Sequence, residues 1–159
     1  MADGGDTSSL EMARRLLEEV APPPSPELTE ATEGFYDAFV LRGIRVHAAQ
    51  PGTLLCHLTV PSRLLNSGGF LHGGATASLV DLVATAAFRT AGLRTRGEPL
   101  EMNISYLDAA FADEEIDIEA KVLRAGKYVG VAVVELKKKS GEIIAQARYS
   151  KYLGASSKL

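Results

Sequence analysis

The residue pattern predicts an α+β fold in which an antiparallel sheet curls around one central helix. Gly73–Thr90, long and rich in Ala, Leu and Val, reads as the one substantial helix of the body. From about Leu100 the chain changes to strands and ends in a three-strand meander over 115–152. Two further strands precede the helix. A single, mostly apolar helix is buried most simply by wrapping a sheet around it.

Taken in order, Ser8 followed by Glu11 suggests a capping box opening a helix, with Leu10, Ala13, Leu16, Leu17 and Val20 at helical spacing. Pro22, Pro23 and Pro24 stop it. A second short helix is expected from about Glu27 to Tyr36. Residues 1–35 thus read as a helical appendage, mobile at its tip, and 36–153 as the main domain. Residues 154–159 form a tail. Val40–Ala48 and Thr53–Val60 read as strands around the turn residues Gln50-Pro51-Gly52. In the meander, Ile116, Ile118, Ala120 and Val122 alternate with Asp117, Glu119 and Lys121. Val129, Val131 and Val133 continue that period of two, and Ser140-Gly141 turns the chain into Ile143–Tyr152.

The 159 residues are 46% hydrophobic and 23% charged, as expected of one globular domain rather than a disordered chain. A lone cysteine, Cys56, excludes an internal disulfide framework and reads as a buried small hydrophobe. No apolar run approaches the length of a membrane span, and the N-terminus lacks the layout of a secretory signal. The net charge of −3 is unevenly placed, with −6 in the first 35 residues and +3 in the remainder. That is far below the basic density of a nucleic-acid binder.

The informative stretch runs from Asn66 through His72-Gly73-Gly74 to Asp81. Two glycines at a loop-to-helix junction permit close backbone approach, and the first helical turn leaves N–H groups that could polarise a carbonyl oxygen. The same glycines would also serve a helix start packed against a strand, and the residues alone leave both readings open. Ser78, Asp81, Thr85 and Arg89 form one polar stripe on an otherwise apolar helix. A face of small hydroxyls and two charges is expected to be half-buried. Asp81 there is a candidate general base or nucleophile. His47, His57 and His72 share no metal-ligand spacing, so no metal is expected, and His57 reads as structural. Gly-x-Ser-x-Gly, Walker and GxGxxG motifs are absent. Phe70, Leu71, Val83 and Phe88 are candidates either for the lining of an apolar tunnel or for the core.

The runs LHGGATASLVD, LEMNISYLDAA, VLRAGK and IIAQARYSKYLG, in this order over residues 40–153, resemble the hotdog-fold acyl-CoA thioesterases, in the branch related to the bacterial phenylacetyl-CoA thioesterases. The resemblance implies a helix wrapped by a sheet, and a homodimer joined sheet edge to sheet edge, often paired again into a tetramer. It implies hydrolysis of acyl-CoA to free acid and coenzyme A, with no cofactor beyond the coenzyme A of the substrate. By motif position, Asn66 and the Gly73 N–H would polarise the thioester carbonyl, and His72 would hold the loop. Asp81 of the partner subunit would activate the water. Human-type members carry a serine at the position of Pro99, which here supplies no hydroxyl. Glu101, Tyr106, Arg124, Gly126, Lys127 and Tyr152 match positions around the coenzyme, whose phosphates need cations. Lys137, Lys138 and Lys139 read as a solvated strand end.

Hotdog hydratases and dehydratases are the first rival, but their His-centred patterns are not found. The second is a non-catalytic acyl-CoA-binding hotdog module, which would need the basic coenzyme site but no half-buried carboxylate. The chain ends in Ser157-Lys158-Leu159, a tripeptide read by the peroxisomal import receptor, so a peroxisomal matrix location is expected, or the cytosol where that signal is masked.

Overall fold

The computed structural model describes residues 7–19 and 34–154. Three helices, α1 (Thr7–Leu17), α2 (Phe35–Leu41) and α3 (Gly73–Thr90), accompany six strands. These are β1 (Arg45–Gln50), β2 (Thr53–Thr59), β3 (Glu98–Tyr106), β4 (Glu115–Ala125), β5 (Val129–Lys138) and β6 (Ile143–Tyr152). All neighbouring pairs are antiparallel, in the order β1-β2-β4-β5-β6-β3. α3 lies against the concave face, so the α+β expectation of a sheet around one helix holds.

α3 spans Gly73–Thr90 as the sequence predicts. Its stripe of Ser78, Asp81, Thr85 and Arg89 is half-buried, while Leu79, Val80, Val83, Ala84, Ala87 and Phe88 are fully enclosed. Val83, Phe88 and Leu71 are buried in the core cluster; of the four aromatic and aliphatic candidates, Phe70 alone is exposed, edge-on to Phe111.

The pattern misleads in three places. Val40 and Leu41 belong to α2, not to a strand: Phe35 stacks on Phe39 one turn later, Ala38, Val40 and Leu41 are buried, and Gly43 at φ +93 then releases the chain into β1. In β5 the inward residues are Gly130, Ala132, Val134 and Leu136, and the valines at 129, 131 and 133 face the other way. Small inward residues win because Phe88 of α3 comes down on Gly130. Ser8 lies within the first turn of α1 rather than before it. The expected helix from Glu27 falls mostly outside the described residues; its last residues, Phe35 and Tyr36, begin α2.

α1 packs on α3 and β1, with Ala13 and Leu17 in the main core. Glu18, just past its end, accepts a hydrogen bond from the Val46 N–H on the outer edge of β1. At the opposite side of the sheet, β3 has no strand beyond it among the described residues, and Leu100, Tyr106 and the following Leu107 are exposed.

A Cβ on Gly130 would lie 2.6 Å from the Phe88 ring and 2.9 Å from Leu153. Gly130→Ala should therefore cost about 1–3 kcal/mol of stability through overpacking, read as a lower urea midpoint with an unchanged m-value.

Candidate active site

The loop ahead of α3 is tied by its own side chains. Asn66 Oδ1 accepts from the N–H groups of Gly68 (2.9 Å) and Phe70 (3.3 Å), and Asn66 exchanges backbone bonds with Phe70 and Gly69. With the oxygen committed to the loop, the carboxamide NH2 has no partner among the described residues and remains available as a donor. His72 is the N-cap of α3, its Nδ1 accepting the Gly74 N–H at 2.8 Å. The Gly73 N–H, one residue earlier, has no partner among the described residues, as expected of a first helical turn. The Tyr106 ring lies over Gly73, where a Cβ would meet it at 3.4 Å, and its hydroxyl donates to the Gly73 carbonyl at 2.9 Å. Asn66, His72, Gly73 and Tyr106 thus converge on one helix entrance.

Asp81 is elsewhere. It lies eight residues into α3, roughly 12 Å along the helix axis from Gly73. Its side chain is 32% exposed, and one oxygen, Oδ1, takes a hydrogen bond from the Tyr149 hydroxyl. Thr85 donates to the Asp81 main-chain oxygen at 2.7 Å, and its hydroxyl is 3.4 Å from Oδ1. Lys151 stands 3.9 Å from Oδ1. No interaction among the described residues reaches Oδ2. Tyr149 and Lys151 were not singled out in the sequence. The signal was there in the inward alternation Ala145, Ala147, Tyr149, Lys151 along β6, which puts a lysine where a core residue belongs. Pro99 stands opposite Lys151 across the β3–β6 ladder.

At the other end of β3, the residues matched to the coenzyme form a second group. Arg124, Gly126 and Lys127 lie at the β4–β5 turn, closed by the Gly126 N–H to the Val129 carbonyl at 3.0 Å. Lys127 sits over the Tyr128 ring, and Tyr128 stacks on Tyr152 at 6.4 Å and 6°. Tyr152 pairs with Glu98, and Glu101 follows on the same strand. Tyr106 is eight residues beyond Glu98, roughly 25 Å along the strand, so one chain does not unite it with Tyr152.

Arg124 and Lys127 have no carboxylate partner among the described residues. The lysines of the β5 end differ: Lys137 pairs with Glu135 at 2.7 Å, Lys138 with Asp108 at 2.9 Å, and Lys139 with Glu115 and Asp117 at 2.9 and 2.7 Å. These hydrogen bonds raise the pKa of each lysine. Cations already neutralised in this way have less to offer a phosphate. Strand pairing also brings His57 opposite Asp117, and with Glu115 their ligand atoms lie within 4.8 Å of one another. Lys139 lies among them, 3.2 Å from His57 Nδ1, and serves as their cation.

An antiparallel sheet packed against one long helix is the hotdog architecture. The model of the thioesterase superfamily matches residues 68–145. Acyl-coenzyme A thioesterase 13 of Mus musculus and of Homo sapiens are each 40% identical over 116 residues, 72% of this chain and 83% of theirs. Zebra fish thioesterase superfamily member 2 superposes with a TM-score of 0.78 at 35% identity, over 91% of this chain and 98% of that one. The chain belongs to the thioesterase superfamily.

Cys56 is fully enclosed between β1 and β4, and burial, with a contribution from Glu18, pushes its thiol up to about 12. Near about pH 8 the thiol is protonated and shielded. An aromatic disulfide reagent should consume no thiol in the native enzyme and one per chain after unfolding.

Proposed function

We propose that the protein hydrolyses acyl-CoA thioesters in sites shared between two copies of the chain. The observation that carries this reading is the separation along α3. The donors that suit a thioester oxygen and the carboxylate that suits a water lie roughly 12 Å apart in one chain, too far for one reacting carbonyl. A second copy related by a twofold axis brings the Asp81 of the partner subunit to the Asn66–Gly73 entrance. The exposed apolar side chains around it, Phe70, Tyr106, Leu107 and Phe111, and the open β3 edge with Leu100 support such pairing.

In this mechanism the Gly73 N–H and the Asn66 NH2 donate to the thioester oxygen. Oδ2 of Asp81 takes a proton from water as the water oxygen bonds to the carbonyl carbon. Charge gathers on the former carbonyl oxygen, where the two donors and the positive end of α3 meet it. The intermediate then collapses, the carbon–sulfur bond breaks, and the proton held by Asp81 passes to the departing thiolate. Acid and coenzyme A leave with the carboxylate restored. Arg124 and Lys127, lacking carboxylate partners, take the phosphates of the coenzyme, with Gly126 turning the backbone and Tyr152 and Glu101 beside them. His72 keeps the entrance in shape. A binding module alone would have no use for the carboxylate held on α3. We further infer that dimers pair into a tetramer and that a free Ser157-Lys158-Leu159 end, outside the described residues, sends the enzyme to peroxisomes.

Thiol release from acyl-CoA esters tests the reading with two variants. Asp81→Asn should lower kcat by about 10²- to 10⁴-fold while leaving coenzyme A affinity intact. Asn66→Asp keeps the acceptor that holds the loop but replaces the donor with a negative charge, and should be similarly impaired. Co-expressed in equal amounts, the two should recover about a quarter of wild-type activity, because each mixed dimer has one intact site. Recovery of nothing would exclude shared sites, and wild-type turnover by Asp81→Asn would exclude the mechanism. For the address, removal of Leu159 should leave a fluorescent fusion in the cytosol; continued import would refute it.

A further inference from the structure

Two polar side chains on β6 take no part in the mechanism as written, yet both are enclosed: Tyr149 is 0% exposed and Lys151 1%. Each reaches the helix beneath it. The Tyr149 hydroxyl donates to Asp81 Oδ1, and the Lys151 ammonium donates to Thr85 Oγ1 at 2.7 Å. The same ammonium lies 3.9 Å from Oδ1 and 5.7 Å from the centre of the Tyr149 ring. Thr85, having accepted from Lys151, donates its own hydrogen bond to the Asp81 main-chain oxygen at 2.7 Å. Every one of these contacts with the carboxylate converges on Oδ1. Oδ2 is left without a partner among the described residues, on a side chain one-third exposed.

We propose that Tyr149 and Lys151 are positioning residues for Asp81, fixing Oδ1 from β6 so that Oδ2 faces the attacking water. The inference rests on Asp81 as the water-activating base. A carboxylate whose Oδ1 accepts from the Tyr149 hydroxyl, with an ammonium 3.9 Å away, rotates about its Cβ–Cγ bond only by breaking that part-buried hydrogen bond and leaving the attraction of the ammonium.

The energetics point the same way. The charged and titratable groups around Lys151 are Asp81 on α3, Tyr149 on its own strand, Arg96 ahead of β3 and Glu98 on β3. Burial, aided by Arg96, outweighs the attraction of Asp81 and Glu98 and lowers the pKa of Lys151 below its ordinary value. Its ammonium is therefore less favourable in the folded protein than in the unfolded chain. Between the lowered folded value and the ordinary lysine value, the unfolded chain binds more protons. The stability contributed by this group accordingly rises with pH across that window and is least below it. A buried ammonium whose charge the fold disfavours, and whose hydrogen bond ties it to Thr85 beside Asp81, fits a positioning role. Tyr149 is different: burial first, then its bond to Asp81, raises its pKa, so it remains a hydroxyl donor throughout the working range.

Steady-state kinetics and thermal melts of the full chain decide the matter. Tyr149→Phe, which keeps the ring and removes the donor, and Lys151→Met, which keeps the length and removes the charge, should each lower kcat on the order of 10- to 100-fold. KM for the acyl-CoA ester should remain within about twofold of wild type in both. Lys151→Met should melt no lower than wild type. The alkaline fall of kcat in wild type, as Lys151 loses its proton, should be absent from Lys151→Met. Turnover within twofold of wild type in either variant would overturn the proposal, as would a lower melting temperature with kcat and KM impaired together. Asp81→Asn separates the two levels. If it is inactive while the β6 variants are not, the base stands and this inference falls. If Asp81→Asn is itself active, the base assignment fails first.

Discussion

α3 is the element on which the rest of the molecule depends. Eleven of its eighteen residues are buried, so the helix is apolar nearly all the way round and must be covered from more than one side. The sheet covers one side, and α1 with α2 covers another. What remains is a narrow seam in which Ser78, Asp81, Thr85 and Arg89 are half-buried. Each of the four polar side chains is engaged: Ser78 by Tyr36, Asp81 by Tyr149, Thr85 by Lys151, and Arg89 by the carbonyl of Arg94. A fully solvated stripe would have given Asp81 no fixed orientation, and a fully buried one would have excluded water. The observed seam is the intermediate case, with Asp81 both held and one-third exposed.

The sequence exposed this helix and its stripe because both follow from spacing along one continuous element. Its glycine entrance was equally clear, and so was the meander, where Ile116, Ile118 and Ala120 alternate inward as expected. Errors arose where a tertiary neighbour chose between two acceptable local patterns. β5 has apolar side chains on both faces, and only the approach of Phe88 to Gly130 decides which one is inside. The support of Asp81 was hidden for a related reason. Tyr149 lies sixty-eight residues away, and its meeting with Asp81 depends on how β6 is registered over α3. A lysine near a chain end ordinarily signals solvent, whereas Lys151 occupies an inward rung.

The same distinction separates one group of basic residues from another. Lys137, Lys138 and Lys139 carry the densest positive charge in the sequence, yet each is matched by a carboxylate from β4, β5 or the loop before β4. The more scattered Arg124 and Lys127 have no such partner among the described residues. Where charge is satisfied within the fold, density along the chain is a poor guide to where an anion will settle.

Finally, the placement of α1 has a bearing on assembly. A sheet offers two edges, and each is a template on which another strand can grow. Here α1 lies along β1, and Glu18 takes up the Val46 N–H, so that edge is occupied from within the chain. Among the described residues, β3 is the edge left uncovered. A sheet with one available edge can meet its own copy once, back to back about a twofold axis, and the union then has no end left to extend. The N-terminal helix thus covers one end of the sheet, and strand pairing through the other end would close after a single copy.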